Sequence, residues 1–339
     1  MLEHDLYALT AAYGPSGRED GVAEAIRSLA VPHCQEIRRD PLGNLIAYKP
    51  GVSGKKLMLC AHMDQIGLMV TDVDPAGFLR VAAVGGLQPA YAIARQVAFQ
   101  SGVMGTVFFG GKDKKPQDAK MEDLFIDIGA KDQAAAEALV SIGEVAVFHA
   151  PLRVQGSLAV GGALDDRLGC ALVLEALRQP CPHDLYGVFT VQEEVGTRGA
   201  FGYAFSVRPE IALVVEGTTA SDIPGTPEHM AVCAPGKGPV IPFMDGGSIY
   251  DRKLFELLRR LAEDNGIPWQ TKHRVAGGTD ARAIQRSRAG VRVAGIAAAV
   301  RNIHTPSSTA SIADCEALLR LARLFIQAVA EENGRNGTI

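Results

Sequence analysis

The sequence has no Cys-x-x-Cys pair among its six cysteines, and no apolar run reaches the roughly eighteen residues of a membrane span. Neither a disulfide framework nor a thiolate zinc site is therefore indicated. Basic residues are also outnumbered, with 34 Lys and Arg against 38 Asp and Glu. The first residues show neither the basic nor the apolar segment of a secretory signal. Together these absences predict a cytoplasmic protein that binds neither nucleic acid nor membranes.

Two catalytic motifs are missing as well. The chain has no Gly-x-Ser-x-Gly elbow of a serine hydrolase, and Gly277-Gly278 is not followed by the Lys-Ser/Thr of a phosphate-binding loop. What is present is a chain of 339 residues with 47% hydrophobic residues. That length and composition allow a large core, in two domains or in one domain with a long insertion.

Two patterns alternate along the chain. In residues 1–66 and 157–339, apolar runs of strand length alternate with helical segments, which predicts an α/β domain with buried strands. Residues 67–156 consist instead of short alternating segments divided by Pro, Gly and charged turns, which is typical of an all-β unit. We therefore expect a discontinuous α/β domain, interrupted by a small inserted β-rich domain of roughly ninety residues.

The N-terminal stretch is predicted to be scaffold. Leu2 to Tyr13 has helical spacing, and Ser16-x-x-Glu19 has the sequence signature of a capping box that opens a second helix. In that motif the two side chains satisfy backbone amides at the start of the helix. Two short strands with a turn between them, at residues 36–38 and 44–48, predict an edge hairpin.

Several apolar runs end at side chains that bind metals, and one helix start carries a pair of aspartates. The run Tyr186 to Val191, for example, leads directly into two adjacent glutamates. Because open α/β sheets bind ligands at the carboxyl ends of their strands, we expect these side chains to lie on one edge of the sheet. The set comprises His62, Asp165, Glu193, Glu194, Glu216 and His304.

Each of these residues alone has an ordinary explanation, since exposed charge is common and an Asp at a helix start is usually an N-cap. Carboxylates gathered in a cleft, however, repel one another unless a cation is present. Nitrogen and oxygen ligands favour zinc, cobalt or manganese. Six candidates exceed what one metal needs, so a two-metal site with a shared carboxylate and one Glu left as base fits the count. Asp64, two residues after His62, shares its face and could orient the imidazole.

Five short motifs are distributed along the chain: Ala61-His62-Met63-Asp64, Ala163-Leu164-Asp165-Asp166-Arg167, Gln192-Glu193-Glu194-Val195-Gly196, Gly278-Thr279-Asp280-Ala281 and Asn302-Ile303-His304-Thr305-Pro306. In order and spacing they resemble the tetrahedral aminopeptidase family, whose members also carry the names glutamyl aminopeptidase, deblocking aminopeptidase or endoglucanase. The resemblance spans nearly the whole chain, including Leu124 to Gly129 in the β insertion. It implies a mixed-sheet α/β metallopeptidase domain with helices on both faces.

Carried over position by position, the resemblance implies a site for two divalent ions. Asp165 would bridge the ions. His62 and Glu216 would complete the binding of one ion, and Glu194 and His304 that of the other. The ions would be zinc or cobalt, with manganese as a third candidate.

The resemblance also implies two catalytic residues. Glu193 would be the general base for a metal-activated water that attacks the peptide carbonyl next to a free amino terminus, and Asp64 would hold His62. The chain departs from the family at two positions. Many members have Asp where this chain has Glu216, which bears on the affinity and identity of the first metal. They often have Glu where this chain has Gln65, which bears only on the electrostatics around the site.

The implied function is an aminopeptidase for short peptides, in which the β insertion builds dimers that associate into a tetrahedral dodecamer. Three alternatives remain open. An amidohydrolase of N-acyl amino acids would use the same two-metal chemistry. An endoglucanase is disfavoured because its pair of catalytic carboxyl groups would here be occupied by metal. A non-catalytic assembly protein would be expected to have lost a ligand or the base, and neither is missing. The preferred N-terminal residue is not set by the sequence.

Overall fold

The computed structural model describes residues 2–111 and 113–335, and the strands within these residues form a nine-stranded sheet and a closed barrel. The predicted class, a mixed-sheet α/β fold with a separate β-rich part, is confirmed. No helix of the described part is long and apolar enough to span a membrane.

The strands are β1 (Glu36–Arg39), β2 (Leu45–Lys49), β3 (Lys56–His62), β4 (Gly67–Val73), β5 (Leu79–Val84), β6 (Gln96–Ala98), β7 (Met104–Phe109), β8 (Leu124–Asp127), β9 (Val145–Phe148), β10 (Arg153–Gln155), β11 (Leu158–Gly161), β12 (Asp184–Thr190), β13 (Ile211–Thr219), β14 (Arg292–Arg301) and β15 (Ser308–Ser311).

The helices are α1 (Leu2–Ala11), α2 (Asp20–Ala30), α3 (Pro89–Ala92), α4 (Gln133–Glu137), α5 (Leu164–Leu177), α6 (Arg198–Val207), α7 (Arg252–Asp264), α8 (Ala281–Ile284) and α9 (Ile312–Arg335). Short 3-10 turns lie at Val31–His33, Pro116–Asp118, Met121–Asp123 and Glu228–Met230.

The strand order in the large sheet is β1-β2-β12-β3-β13-β14-β15-β11-β10. The four central strands β12, β3, β13 and β14 are mutually parallel. Their carboxyl ends therefore meet at the same edge of the sheet, as the sequence analysis expected. The hairpin of β1 and β2 lies at one side of the sheet, with β1 as the edge strand.

Helices cover both faces of this sheet because side chains alternate between the faces along each strand. On β3, Leu57 and Leu59 pack with α1, α2, α5, α7 and α9 in the larger core. Met58 and Cys60 point the other way and pack with α6 and α8. Nearly every residue of α5 is buried, including the charged residues Asp166, Arg167 and Glu175.

The barrel closes in the order β4-β5-β8-β7-β6-β9 and has its own apolar core. The core contains residues from all six strands, among them Leu68, Leu79 and Ile126. A closed sheet has no free edge, so the short strands of the insertion are all paired. Residues 67–148 thus form a unit with its own backbone pairing and its own core.

Two strands differ from the prediction. The apolar run expected to end at Glu216 continues as β13 to Thr219, so Glu216 lies inside a strand and reaches the site from there. The barrel ends at Phe148, whereas the predicted insertion runs to residue 156. Residues 153–155 form β10, which pairs with β11 at the edge of the large sheet. Side-chain alternation is the same in either sheet, so the sequence pattern alone could not assign this strand.

The predicted capping box does not form. Helix α2 begins at Asp20, and Glu19 at its N-cap makes no side-chain hydrogen bond to the helix. Ser16 donates instead to a carboxylate oxygen of Asp64, and Glu19 accepts from the backbone N–H of Gln192. Both side chains thus contact the sheet edge that carries the candidate site.

Candidate metal centre

The candidate residues meet at the carboxyl edge of the parallel strands. His62 is the last residue of β3 and lies opposite Thr190 at the end of β12. Glu193 and Glu194 follow β12 within four residues, and His304 follows β14 within three. Asp165 enters from the start of α5, where its backbone is not yet helical. Parallel pairing therefore brings together residues that are far apart in the sequence.

The first donor group consists of His62, Asp165 and Glu216. The Nε2 atom of His62 lies 3.3 Å from Asp165 Oδ1 and 3.6 Å from Glu216 Oε2. The ligand atoms of all three residues lie within 4.8 Å of one another. One ion could therefore contact all three.

The second donor group consists of Asp165, Glu194 and His304. Here His304 Nε2 lies 3.4 Å from Asp165 Oδ2 and 3.3 Å from Glu194 Oε2. Asp165 thus directs one carboxylate oxygen to each group, which is the geometry of a bridging ligand. Among the residues described, Glu193 belongs to neither group.

The orientation of His62 is set by the residues that follow it. Its Nδ1–H donates to the backbone carbonyl of Asp64 at 3.2 Å and lies 3.5 Å from Asp64 Oδ1. This hydrogen bond leaves Nε2, on the other side of the ring, facing the first donor group. Burial would raise the pKa of Asp64, but the hydrogen bond and charge of His62, together with the hydrogen bonds from Ser16 and the Glu193 N–H, outweigh burial and lower it, so Asp64 is held as a carboxylate.

The carboxyl groups at this edge are strained electrostatically. Burial, reinforced by nearby Asp280, raises the pKa of Glu193 to about 9, and burial reinforced by Asp165 raises that of Glu194 to about 7. Burial likewise raises the pKa of Glu216 well above its ordinary value. Without a cation, Glu193 keeps its proton at neutral pH and Glu194 is only partly ionised, whereas both carboxyl groups would be ionised in water.

The two imidazoles respond in the opposite sense. The hydrogen bond to Asp165 raises the pKa of His304 to about 9. Burial would lower the pKa of His62, but the carboxylates of Glu216 and Asp165 outweigh burial and raise it well above its ordinary value. The protons on these rings thus balance negative charge in the place where divalent cations would do so.

The residues present fit a pair of divalent cations. In the described part of the chain, Glu216 Oε1 is buried and has no hydrogen-bond partner, so it is free to act as a ligand. The two groups offer two imidazole nitrogens and carboxylate oxygens without sulfur, which is the donor set of zinc, cobalt or manganese.

The backbone around the site is unusual. Gln192, just before the glutamate pair, has φ 57°, and Asn302 and His304 have φ 57° and 56°. Residues other than glycine rarely adopt this left-handed conformation, which costs on the order of 1 kcal/mol or more and is concentrated at functional sites. Surrounding contacts must hold these residues in place.

Several residues of this site carry no role predicted from the sequence. Asp280 was recognised as part of a motif only, yet it is fully buried and accepts a hydrogen bond from Thr190 at the end of β12. Its Oδ1 atom has no partner among the residues described. Burial raises its pKa to about 6. The Thr-Asp pair inside its motif was the available signal.

Arg167 is also fully buried and was not singled out. It donates to the carbonyls of Leu9, Ala12 and Gly14 and to Oε1 of Gln65. The guanidinium therefore ties the end of α1 to the turn after His62. Its place directly after the aspartate pair was the only sequence signal.

The barrel also reaches the site. The cleft above it is lined by Asp165, Glu194 and His304 from the sheet side and by Phe148 from β9. Gly86, in the loop after β5, lies so close to His304 that a Cβ atom there would come within 2.9 Å of Nδ1. No ligand comes from the barrel among the described residues, but its backbone limits where His304 can lie.

Comparisons with known proteins indicate the family. The model of the M42 glutamyl aminopeptidase family matches residues 43–321. A candidate aminopeptidase of Acetivibrio thermocellus is 39% identical over 327 residues, covering 95% of this chain and 98% of that protein. An aminopeptidase structure from Desulfurococcus kamchatkensis is 32% identical, with a TM-score of 0.92 and coverage of 96% and 94%. The TET1 peptidase of Pyrococcus horikoshii, which can assemble into a tetrahedron or a large octahedral shell, is 29% identical, with a TM-score of 0.84 and coverage of 96% and 99%.

Proposed function

The chain belongs to the M42 glutamyl aminopeptidase family and is an aminopeptidase; on that premise we propose that it removes the N-terminal residue of short peptides at a two-metal site, with Glu193 as general base. One observation carries the proposal. Asp165 directs its two oxygens to two donor groups, while Glu193 lies beside them and belongs to neither. Two adjacent glutamates are thereby free to take two different tasks.

His62, Asp165 and Glu216 would hold one cation, and Asp165 with Glu194 and His304 would hold the other. The cations would be zinc or cobalt, with manganese as a third candidate. When bound, they would acidify a water molecule, polarise the scissile carbonyl and lower the pKa of the nearby glutamates. That last effect matters because Glu193 has a pKa of about 9 without them and could not accept a proton at neutral pH.

Glu193 acts by moving a proton. It would accept the proton of the attacking water and pass it to the leaving amine. Its backbone N–H donates to Asp64 Oδ1 at 2.9 Å, so the residue that orients His62 also fixes the main chain of the base. Asp64 therefore contacts both the base and His62 of the first donor group, and it fixes the distance between them.

We propose residues 1–66 and 157–339 as the catalytic domain and residues 67–156 as the inserted domain, in which the barrel at residues 67–148 builds dimers and β10 pairs with the large sheet. Dimers would assemble into a dodecamer, a proposal supported by the tetrahedral assembly of the Pyrococcus horikoshii relative. Light scattering at micromolar concentration with metal present should give a large homo-oligomer. A monomer under those conditions would contradict the assembly proposal. The cytoplasmic location stays a prediction of the sequence.

The experiment for the function combines metal analysis with substrate choice. Purified protein should contain up to two divalent ions per chain by elemental analysis, lose activity to a chelator and regain it with zinc or cobalt. It should cleave aminoacyl-p-nitroanilides, whose panel also reports the preferred N-terminal residue. Full activity in metal-free protein would exclude the two-metal site. Cleavage of N-acetyl amino acids but not of aminoacyl anilides would favour the amidohydrolase, and cleavage of a soluble glucan would favour the endoglucanase.

A further inference from the structure

We infer that Ser16 and Glu19 are positioning residues for the glutamate pair Glu193-Glu194, and that the segment between α1 and α2 belongs to the active site rather than to the scaffold. The inference rests on the proposed function, in which Glu193 is the base. Neither residue touches the donor groups directly. Ser16 acts through the carboxylate of Asp64, and Glu19 acts through the backbone of Gln192.

Ser16 is buried, and its hydroxyl donates to Asp64 Oδ2 at 2.6 Å. The same carboxylate accepts the backbone N–H of Glu193 at Oδ1, at 2.9 Å, and that of Glu194 at Oδ2, at 3.2 Å. Asp64 is therefore held between one hydroxyl and two amides of the glutamate pair. Removing the hydroxyl leaves a buried carboxylate with one hydrogen bond fewer and allows it to shift.

Glu19 holds the residue before the pair. Its Oε1 atom accepts the backbone N–H of Gly17 at 2.7 Å and that of Gln192 at 3.1 Å. Gln192 has a left-handed backbone, a conformation that persists only where neighbouring contacts fix it. The hydrogen bond from Glu19 is such a contact, and it sets the direction in which the chain enters the glutamate pair.

The segment that carries these side chains is itself anchored to the site. The backbone N–H of Ser16 donates to the carbonyl of Gln65, and Gln65 N–H donates to the carbonyl of Gly14. Arg167 donates both to the Gly14 carbonyl and to Oε1 of Gln65. The turn after α1 is thus joined to the turn after His62 by four hydrogen bonds, so Ser16 cannot easily drift from Asp64.

Helix α2 does not need these side chains. Neither of them caps it, and its apolar face, with Val22 and Ile26, is fully buried against the larger core. Two polar side chains at a helix start that cap nothing in the helix are better explained by what they do contact. Ser16 contacts Asp64 and Glu19 contacts Gln192, and these two residues in turn contact or precede the proposed base.

The test compares Ser16→Ala and Glu19→Ala with variants that keep the contact. Ser16→Thr retains a hydroxyl, and Glu19→Gln retains the oxygen that accepts the two amides. Because the base is needed in the transition state and not for substrate binding, each Ala variant should lower kcat roughly tenfold and change KM by less than about twofold. The Thr and Gln variants should recover most of that loss. Asp20→Ala, which breaks the exposed contact of Asp20 with Arg39 at the same helix start, should leave kcat unchanged.

A second measurement does not depend on catalysis. Hydrogen exchange of the metal-free protein, followed by mass spectrometry on a peptide that covers residues 190–196, should become several-fold faster in both Ala variants than in Ser16→Thr and Glu19→Gln. A peptide from α2 should not change. This readout separates positioning of the glutamate pair from a general loss of stability.

Four outcomes decide the matter. Slower turnover with local exchange at 190–196 and recovery by the conservative variants supports the inference. Unchanged kcat and exchange in Ser16→Ala and Glu19→Ala overturns it. Faster exchange in α2 of the two Ala variants also overturns it, because Ser16 and Glu19 would then stabilise the helix rather than position the glutamate pair. If wild-type protein loaded with metal cleaves no aminoacyl substrate, the proposed function fails, and the exchange measurement alone decides whether the two residues position the pair.

Discussion

In the large sheet, His62, Asp64 and Glu216 are buried with at most 6% of their surface exposed, whereas no polar or charged side chain described between residues 67 and 148 is buried. Each part has its own apolar core, the larger one in the sheet domain. They differ in where charge lies. Burying charge is costly unless something compensates it. The sheet edge must therefore contain a compensating group, and the barrel needs none.

The difference also separates two ways of contributing to a site. The sheet contributes ionisable side chains, and the barrel contributes shape. Gly85 and Gly86 bring barrel backbone against Glu194 and His304, and a Cβ atom at Gly85 would lie 3.4 Å from Glu194 Oε2. Phe148 closes the cleft from the same side. The following predictions test this division, from the largest expected effect to the smallest.

The largest effect is expected at the sheet edge from Glu193→Gln. The amide keeps the shape of the side chain but cannot accept a proton, so kcat should fall by roughly 10²–10⁴-fold. Because Glu193 lies in neither donor group, metal content should not change. The measurement is kcat beside metal stoichiometry from elemental analysis.

Glu194→Gln is the matched control, since it changes the neighbouring carboxylate in the same way. Its Oε2 atom lies 3.3 Å from His304 Nε2, so this variant should lose the second metal first. If Glu193→Gln loses metal while Glu194→Gln keeps both ions and is inactive, the two roles must be exchanged.

The second effect concerns the stability of the metal-free protein, which should decrease as pH rises from about 4.5 to about 9. Folded Glu194 has a pKa raised from 4.5 to about 7, mainly by burial, and folded His304 has one raised from 6.5 to about 9, mainly by its hydrogen bond to Asp165. A raised folded pKa means that the folded state binds the proton more tightly. The stability from each group is thus complete below its unfolded pKa and is lost as pH rises through its folded pKa.

Urea unfolding of chelator-treated protein at pH 5, 7 and 9 measures this loss. The same series on Glu194→Gln subtracts the background from other groups, so the difference between the two series reports Glu194 together with its interaction with His304. Metal-loaded protein should lose less stability over this range, because cations replace the protons. A metal-free protein whose difference series is flat or rises with pH would contradict the assignment of buried, uncompensated charge to this edge.

The third effect comes from the barrel side. Gly86→Ala would place a Cβ atom 2.9 Å from His304 Nδ1. Since the His304 side chain is 41% exposed, the ring can move outward without unfolding the chain, but it then leaves Asp165 and Glu194. One metal should bind roughly tenfold more weakly, a size typical of changes behind a metal ligand. Chelator competition on the loaded protein measures the change.

Gly105→Ala is the control within the barrel. Its Cβ atom would come 2.5 Å from a methyl group of Ile126, and the other atoms near it belong to Asp127 and Ile128. None of these residues belongs to a donor group. It should lower the melting temperature and leave metal affinity unchanged. Equal losses of metal affinity in both variants would mean that barrel stability, and not the position of His304, controls the site.

The sequence allowed good prediction of the residues whose positions follow from strand pairing. His62 ends an apolar run and His304 follows one, and the ends of parallel strands must meet. The bridging place of Asp165 was implied by resemblance alone and stays a proposal, and in the structure Asp165 contacts both imidazoles. The predicted strand ended at Glu216, whereas β13 continues to Thr219. Glu216 still lies at the site, because its side chain points to the same face of the sheet whether or not the strand continues.

The sequence did not predict contacts that depend on tertiary packing. Ser16 and Glu19 match a local capping motif, and only the fold shows that Ser16 bonds a residue 48 positions away. Gly86 has the pattern of an ordinary turn, and its closeness to His304 depends on how the barrel sits against the sheet. Local patterns describe what a segment can do by itself, so they cannot indicate a partner that only the folded chain brings near.

The smallest effect on chemistry is expected on the outer face of the barrel. Met104 and Phe108 lie on the same face of β7, with 43% and 54% of their surface exposed. Phe108 stacks on Phe125 with ring centroids 5.5 Å apart. Phe108→Ser should therefore cost about 1 kcal/mol or less of stability. If the barrel builds the assembly, this variant should give smaller particles by light scattering while kcat per subunit stays within about twofold of wild type, because no donor residue lies on this face.

Phe201→Ser is the matched variant on the sheet side, since Phe201 on α6 is 62% exposed and has no part in either donor group. Under the division argued above, it should leave particle size unchanged. Smaller particles from Phe201→Ser with none from Phe108→Ser would move the assembly surface to the sheet domain. Loss of turnover together with dissociation in Phe108→Ser would show that the barrel shapes the site only within the assembly, because Gly86 and Phe148 would then need a neighbouring subunit to stay in place.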